Sequence, residues 1–121
     1  MAVMEITKLE RTTIKPAIVF GWSIEISPRG IARWDGDSTM PFRAFSTLDK
    51  LLEKGLMERI RAYPGYEEIR ATQSGRDYRC YAPGCHRGAL YAEGEDGRDH
   101  EIGRCRVCDG TGVTLKARAL R

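Results

Sequence analysis

The sequence lacks the signatures of several large protein classes. No apolar run approaches the length of a membrane span, and charged side chains interrupt residues 1–13, where a signal peptide would have its apolar core. We find no Walker loop, no dinucleotide-binding fingerprint and no nucleophile–base–acid order. We therefore expect a cytoplasmic, non-enzymatic protein that binds neither a membrane nor a small-molecule substrate.

Lysine is also scarce, because 15 of the 20 basic residues are arginine. Arginine is the side chain best suited to bidentate contacts with phosphate or guanine, so this bias is compatible with DNA or RNA as a partner. A GC-rich genome would favour arginine codons equally well. The formal charge of +3 is too small to decide between the two explanations.

The four cysteines and both histidines all lie between Tyr78 and Val113. The cysteines form two pairs, Cys80 with Cys85 and Cys105 with Cys108. Two pairs presented by two tight turns can supply the four converging thiolates of a tetrahedral zinc site. Four thiolates leave no position open for water, so we predict a structural Zn²⁺ with these four cysteines as ligands.

Other assignments of these residues stay open. His86 or His100 could replace one cysteine ligand, although His86 directly follows Cys85 and is better placed beside the site than in it. Disulfides, free thiols or another metal are further possibilities, and a reducing cytoplasm disfavours the disulfides. The deaminase signature is absent, since Arg104 rather than proline precedes Cys105.

The segment Cys105–Gly112, CRVCDGTG, resembles one CxxCxGxG unit of the cysteine-rich region of DnaJ-type co-chaperones, and more broadly the zinc knuckles of zinc-ribbon proteins. The first pair departs from that pattern, because Pro83 and Gly84 make a longer turn between its cysteines. The resemblance implies a zinc ribbon and carries no chaperone function. A short strand at Ala89–Tyr91, a tip at Glu95–Arg98 and a return at His100–Arg104 predict a hairpin that joins the two turns.

Alternating apolar residues from Ile18 to Ile26 predict a β-strand with one buried face. Pro28–Gly30 predicts a turn, Ile31–Trp34 a second strand, and Asp35–Pro41 a turn-rich stretch. Ile6 and Leu9 could belong to a short helix or to an edge strand. Trp22 and Trp34 could offer a base-stacking surface, but their apolar neighbours favour core packing.

From Ser46 onward the spacing of the apolar residues changes to that of a helix. Ser46 is placed to cap it, Leu48, Leu51 and Leu52 form its apolar stripe, and Gly55 is suited to end it. Leu56–Tyr63 and Tyr66–Thr72 predict a hairpin around Pro64–Gly65.

The run Ser46–Arg76 resembles the recognition helix and wing of winged helix-turn-helix regulators. The segments that carry the resemblance are LLEKGLMER, residues 51–59, and IRATQSGR, residues 69–76. That resemblance implies nucleic-acid contacts from the helix and the wing. The residues that would make them are Arg43, Thr47, Lys50, Lys54, Arg59, Arg61 and Arg70. A departure is the predicted β-hairpin at residues 14–34, where the family has helices.

Together these observations predict an α+β protein in which a β-hairpin, helix and wing-like domain, residues 1–77, precedes a zinc-ribbon-like module with a basic tail, residues 78–121. The function expected is that of a zinc-binding, nucleic-acid-binding accessory or transcription-regulatory protein. The alternative is a phage or mobile-element protein that binds and inhibits a host protein, of the anti-defence type. Such a protein could use the same surface or the acidic Glu93–Glu101 loop.

Overall fold

The structure is a computed structural model that describes residues 5–117, apart from the side chains of Ser38 and of residues 61–63. The end of the predicted basic tail, residues 118–121, lies outside the described residues. The elements in chain order are α1 (Lys8–Val19), β1 (Ile24–Ile26), β2 (Ala32–Trp34), β3 (Asp37–Phe42), α2 (Phe45–Glu53), β4 (Met57–Tyr63), β5 (Tyr66–Ala71), α3 (Gln73–Arg76), β6 (Cys85–His86), β7 (Ala89–Glu93) and β8 (Asp99–Arg104). The expectation of a mixed α and β fold is confirmed.

Helix α1 stands where the sequence predicted the start of a strand, so the predicted strand over Ile18–Ile26 is wrong in its first part. A capping box begins the helix, since the Thr7 hydroxyl accepts from the Glu10 N–H and the Glu10 carboxylate accepts from the Thr7 N–H. Ile14, Ala17 and Ile18 are buried at helical spacing. The apolar residues of this segment satisfy both periods, and burial of the helical face in the core, against α2, selects the helix that the cap begins.

The predicted β1–β2 hairpin is confirmed, but the turn-rich stretch expected at Asp35–Pro41 is not. Asp35 and Gly36 alone make the turn, and β3 follows as the edge strand of the sheet. Pro41 is tolerated there, because an edge strand does not need every N–H for pairing.

A five-stranded antiparallel sheet of order β3-β2-β1-β5-β4 forms the larger layer. Helices α1 and α2 contact each other beside the sheet, and Ile24, Leu51 and Ile69 are fully buried in the core. Helix α2 and the β4–β5 hairpin are confirmed, and Gly55 has the expected positive φ. The helix begins one residue before Ser46, however, and its N-cap position carries no side-chain hydrogen bond.

The two tryptophans are half-buried. Trp34 lies edge-on to Phe42, with ring centroids 5.9 Å apart, and packs against the core. Trp22 faces Phe20 at 4.9 Å and covers Gly36, where any side chain would collide with the indole ring. The indole ring can lie this close to the backbone only because residue 36 is glycine and has no Cβ.

A second, three-stranded antiparallel sheet of order β6-β7-β8 belongs to the metal module, which we define as residues 78–117. Its predicted β7–β8 hairpin is confirmed. The module is joined to α1 and the sheet through a common core, because Tyr78 and Val113 are buried in the same cluster as Ile14. The Ile6 N–H also donates to the Leu115 carbonyl at 2.8 Å.

Across residues 5–117, none of the helices has the length and apolar character needed to cross a membrane.

Candidate metal centre

The fold brings the four cysteine sulfurs together. All four Sγ atoms lie within 4.8 Å of one another, with 3.7 Å between Cys80 and Cys105 and 3.9 Å between Cys85 and Cys108. A tetrahedron of sulfurs at the usual zinc–sulfur bond length of about 2.3 Å has edges of about 3.8 Å. The cluster can therefore hold a metal ion with little rearrangement.

The loop of the second pair is built from its own backbone. The Gly110 N–H donates to the Cys105 carbonyl at 2.8 Å, and the Thr111 N–H donates to the Cys108 carbonyl at 3.1 Å. The Gly112 N–H points to the sulfur of Cys108 at 3.2 Å. This turn holds Cys105 and Cys108 on the same side of the loop, as the CxxC spacing predicted.

The loop of the first pair is tied to the second at two points. The Cys80 N–H donates to the Gly112 carbonyl at 2.9 Å, and the Cys105 N–H donates to the Gly88 carbonyl at 2.8 Å. Gly88 has a φ of +97°, and a Cβ there would overlap the carbonyl oxygen of Gly110. Only glycine combines this backbone conformation with so close an approach.

Backbone N–H groups oppose the effect of burial on the thiols. Burial raises the pKa of Cys80 and of Cys85, while N–H groups of Ala82 and Gly88 respectively act in the other direction. At Cys105 burial would also raise the pKa, but hydrogen bonds from the N–H groups of Cys108 and Val107, together with those from the Cys80 and Cys108 thiols, outweigh it and lower the pKa to about 7. Such donors stabilise the thiolate, which is the form that binds metal.

Neither histidine belongs to the cluster. His100 is exposed, and its Nε2 lies 3.0 Å from both carboxylate oxygens of Asp96. His86 is exposed, with its ring edge-on to Tyr91. The cysteines are free thiols, and their separations are well beyond the 2.05 Å of a disulfide. The geometry thus favours four sulfur ligands over the alternatives that the sequence left open.

The nucleic-acid-binding residues predicted on or beside α2 have different surroundings. Arg43 and Lys50 are exposed and make no ion pair with any other residue of the described chain. Thr47 is buried, with 5% of its surface exposed, so it does not reach the exposed face of α2. Lys54 is held by the buried Glu10, with 2.8 Å between Nζ and Oε1.

The predicted residues of the β4–β5 hairpin are largely neutralised. Arg59 pairs with Glu67 and Arg70 pairs with Glu58, each at 2.9 Å. The side chain of Arg61 lies outside the described residues. Because both pairs are about half exposed, a phosphate could displace the glutamates at small cost.

The β7–β8 hairpin carries a concentration of negative charge at its tip. Its acidic residues are Glu93, Glu95, Asp96, Asp99 and Glu101. Every residue of β8 is exposed, including Ile102 at 65%. We call residues 93–101 the acidic arm.

Sequence reasoning missed three side chains beside the cysteine loops. Arg11 reaches from α1 to the second loop, where its Nη2 lies 3.7 Å from a carboxylate oxygen of Asp109. Tyr81 and Arg106, each directly after a cysteine, are exposed. Their positions inside short cysteine loops were the available signal, since such loops have no interior in which to bury a large side chain.

Comparisons of the chain with protein-family models, with curated proteins and with solved structures find no match. Functional inference therefore depends on the geometry of the chain itself.

Proposed function

We propose that the four cysteines bind one structural Zn²⁺ and that the metal module is zinc-ribbon-like. The near-tetrahedral spacing of the sulfurs carries this proposal. Four thiolates saturate the ion, so the site has no open position for a catalytic water. The metal holds together a segment whose own buried residues are few, chiefly Tyr78, Cys105, Cys108 and Val113.

We further propose that the protein is a non-enzymatic, nucleic-acid-binding accessory or regulatory protein. The support is the order of helix α2 and the β4–β5 hairpin, together with the exposed and unpaired cations Arg43 and Lys50 within the described chain. The neutralised Arg59 and Arg70 would contribute after their glutamates are displaced. Phosphate contacts of this kind position a protein without reading sequence.

One experiment tests both proposals on the same sample. Metal content is measured by mass spectrometry, and binding to a random DNA duplex is then followed over a salt series. We expect one zinc per chain and an affinity that falls linearly on a log–log plot as salt rises, with a slope of about −0.9 for each phosphate contacted.

The Lys50→Ala variant should bind more weakly to all sequences and show a shallower slope. Arg98→Ala, which removes the same charge from the exposed tip of the acidic arm, is the matched control and should bind as the wild type does. A protein without zinc contradicts the first proposal. A zinc-loaded protein with no affinity for DNA or RNA contradicts the second.

A protein partner is the second candidate function, favoured by the acidic arm. An exposed β-strand edge with neighbouring carboxylates suits a partner that presents a basic strand or loop. A partner of this kind should co-purify at low salt, and the double substitution Glu95→Lys and Glu101→Lys should abolish its retention. Glu25→Lys on the large sheet is the control. If all variants retained the partner equally, the acidic arm would be excluded as its binding surface.

A further inference from the structure

We propose that a groove between α1 and the two cysteine loops binds single-stranded nucleic acid, with a base stacked on Tyr81 and a phosphate held by Arg106 and Arg11. This surface is distinct from the α2 face considered above. The inference rests on the proposed zinc, because the metal fixes the two loops that form the walls.

The groove has a volume of about 410 Å³ and is lined by several separate parts of the chain. Arg11 comes from α1, Tyr81 from the first cysteine loop, and Arg106 and Val107 from the second. Lys116 lies near the end of the metal module. A space of this size admits about one nucleotide and is too small for a duplex.

The positive charge of the groove is incompletely neutralised. Of its two carboxylates, Glu5 pairs with Lys116 at 3.1 Å, and Asp109 lies at 3.7 Å from Arg11. Arg106 has no ion pair within residues 5–117. The groove therefore carries one cation in excess, on a side chain that is exposed at its rim.

The guanidinium of Arg11 is incompletely partnered in the fold. Its surface is only 8% exposed, yet its Nε has no hydrogen-bond partner among the described residues. Buried donors without a partner are rare in native proteins. A phosphate oxygen in the groove would give the guanidinium a stronger acceptor than the distant Asp109 provides.

The apolar part of the groove matches a base. Tyr81 is 53% exposed and Val107 is 49% exposed, although both flank cysteines that the fold buries or half-buries. Aromatic rings stack on any base that is not already stacked in a helix, and arginine adds charge and planarity to such a surface. Unpaired bases are available only in single strands, loops and ends.

The test uses zinc-loaded full-length protein and a fluorescein-labelled twelve-nucleotide oligo(dT), with fluorescence anisotropy as the readout. Tyr81→Ala and Arg106→Ala should each weaken binding by about 5-fold or more, while Tyr81→Phe, which keeps the ring, should stay within about 2-fold of wild type. In a plot of log affinity against log salt concentration, Arg106→Ala should also reduce the steepness of the slope by about 0.7. Arg98→Ala, which removes a charge far from the groove in sequence, should have little effect on this ligand.

Zinc content is measured for every variant, so that loss of the fold is distinguished from loss of a contact. Photo-crosslinking of wild-type protein to a 5-iodouracil oligonucleotide provides a test without substitutions, and the adduct should map to Tyr81. No adduct at Tyr81, or binding unchanged by Tyr81→Ala and Arg106→Ala, overturns the inference. Duplex binding that depends on Lys50 alone overturns it while leaving the proposed function intact, and absence of zinc overturns both. Binding of an acidic peptide in place of the oligonucleotide likewise overturns it.

Discussion

Each cysteine sulfur of the cluster accepts from a backbone N–H that follows it in the chain. The donors are Ala82 for Cys80, Gly88 for Cys85, Val107 and Cys108 for Cys105, and Gly112 for Cys108. These hydrogen bonds position the sulfurs and oppose the effect of burial, which on balance still raises the pKa of Cys80 and of Cys85. The backbone of the two loops is therefore arranged to place four sulfur atoms together.

Replacing a buried ligand tests the assignment of the site. We expect Cys108→Ser to lose the zinc and most of the order of the metal module, because a neutral hydroxyl is a poor zinc ligand. His86→Ala and His100→Ala should keep one zinc per chain. Zinc stoichiometry by mass spectrometry and thermal unfolding provide the measurements. Loss of zinc in either histidine variant would show that an imidazole is a ligand.

The contact between Gly88 and Gly110 can be isolated from the general cost of substituting glycine. Gly88 and Gly97 both have positive φ, but nothing lies near a Cβ added at Gly97. We expect Gly97→Ala to cost about 1 kcal/mol, from backbone strain alone. Gly88→Ala should cost clearly more, because its Cβ would overlap a carbonyl oxygen. Equal losses in thermal unfolding would mean that the two loops separate easily.

At the scale of elements, α1 is the segment that connects the parts of the molecule. Its Glu10 is buried and accepts both from the Thr7 N–H and from the ammonium group of Lys54, the residue that directly follows α2. Its second oxygen has no hydrogen-bond partner among the described residues. Burial would raise the pKa of Glu10, but the hydrogen bonds and the charge of Lys54 outweigh it and hold the pKa below its usual range.

This lowered pKa gives a pH dependence of definite sign. A carboxyl with a lower pKa in the folded state stabilises the fold above its unfolded pKa of about 4.3, and the effect is lost as the pH falls through the folded value. We expect Glu10→Gln to lower the free energy of unfolding by about 1–3 kcal/mol at pH 7. The difference from wild type should shrink below about pH 4.

The exposed Glu53→Gln on α2 is the matched control for this substitution and should change stability little. Because wild type and variant are compared at each pH, the release of zinc by acid affects both alike. Denaturant unfolding over a pH series measures the difference. A difference that stays constant down to acid pH would show that Glu10 stabilises the fold by packing and not by its charge.

Over the whole molecule, the metal module and the α/β layer share one core. Tyr78 and Val113 are buried with Ile14 and Ile18, and Gly112 approaches Val19 so closely that a Cβ would be only 2.9 Å from its side chain. Arg87 lies over the ring of Phe20, at 5.0 Å from the centroid. Ordering the module therefore also covers one side of α1.

Removal of zinc should consequently reach beyond the module. We expect a chelator to abolish hydrogen-exchange protection at Gly110, Thr111 and Gly112, and to reduce it in α1, with the β4–β5 hairpin least affected. Added zinc should restore protection, whereas magnesium, which prefers oxygen ligands, should not. Unchanged exchange in α1 after zinc removal would show that the two parts are not energetically coupled.

The sequence by itself determined the features that depend on local spacing. Cys105 and Cys108 lie close together because the CxxC turn places them so, and the leucine stripe of α2 and the Pro64–Gly65 turn likewise act over a few residues. Only the tertiary structure decided whether residues 14–19 were helix or strand, since their apolar positions satisfy both periods and burial against α2 selects one. It also decided that Arg11, far from the cysteines in sequence, would lie beside Asp109. Pairings of this kind arise from the packing of α1 on the metal module, and no local pattern encodes them.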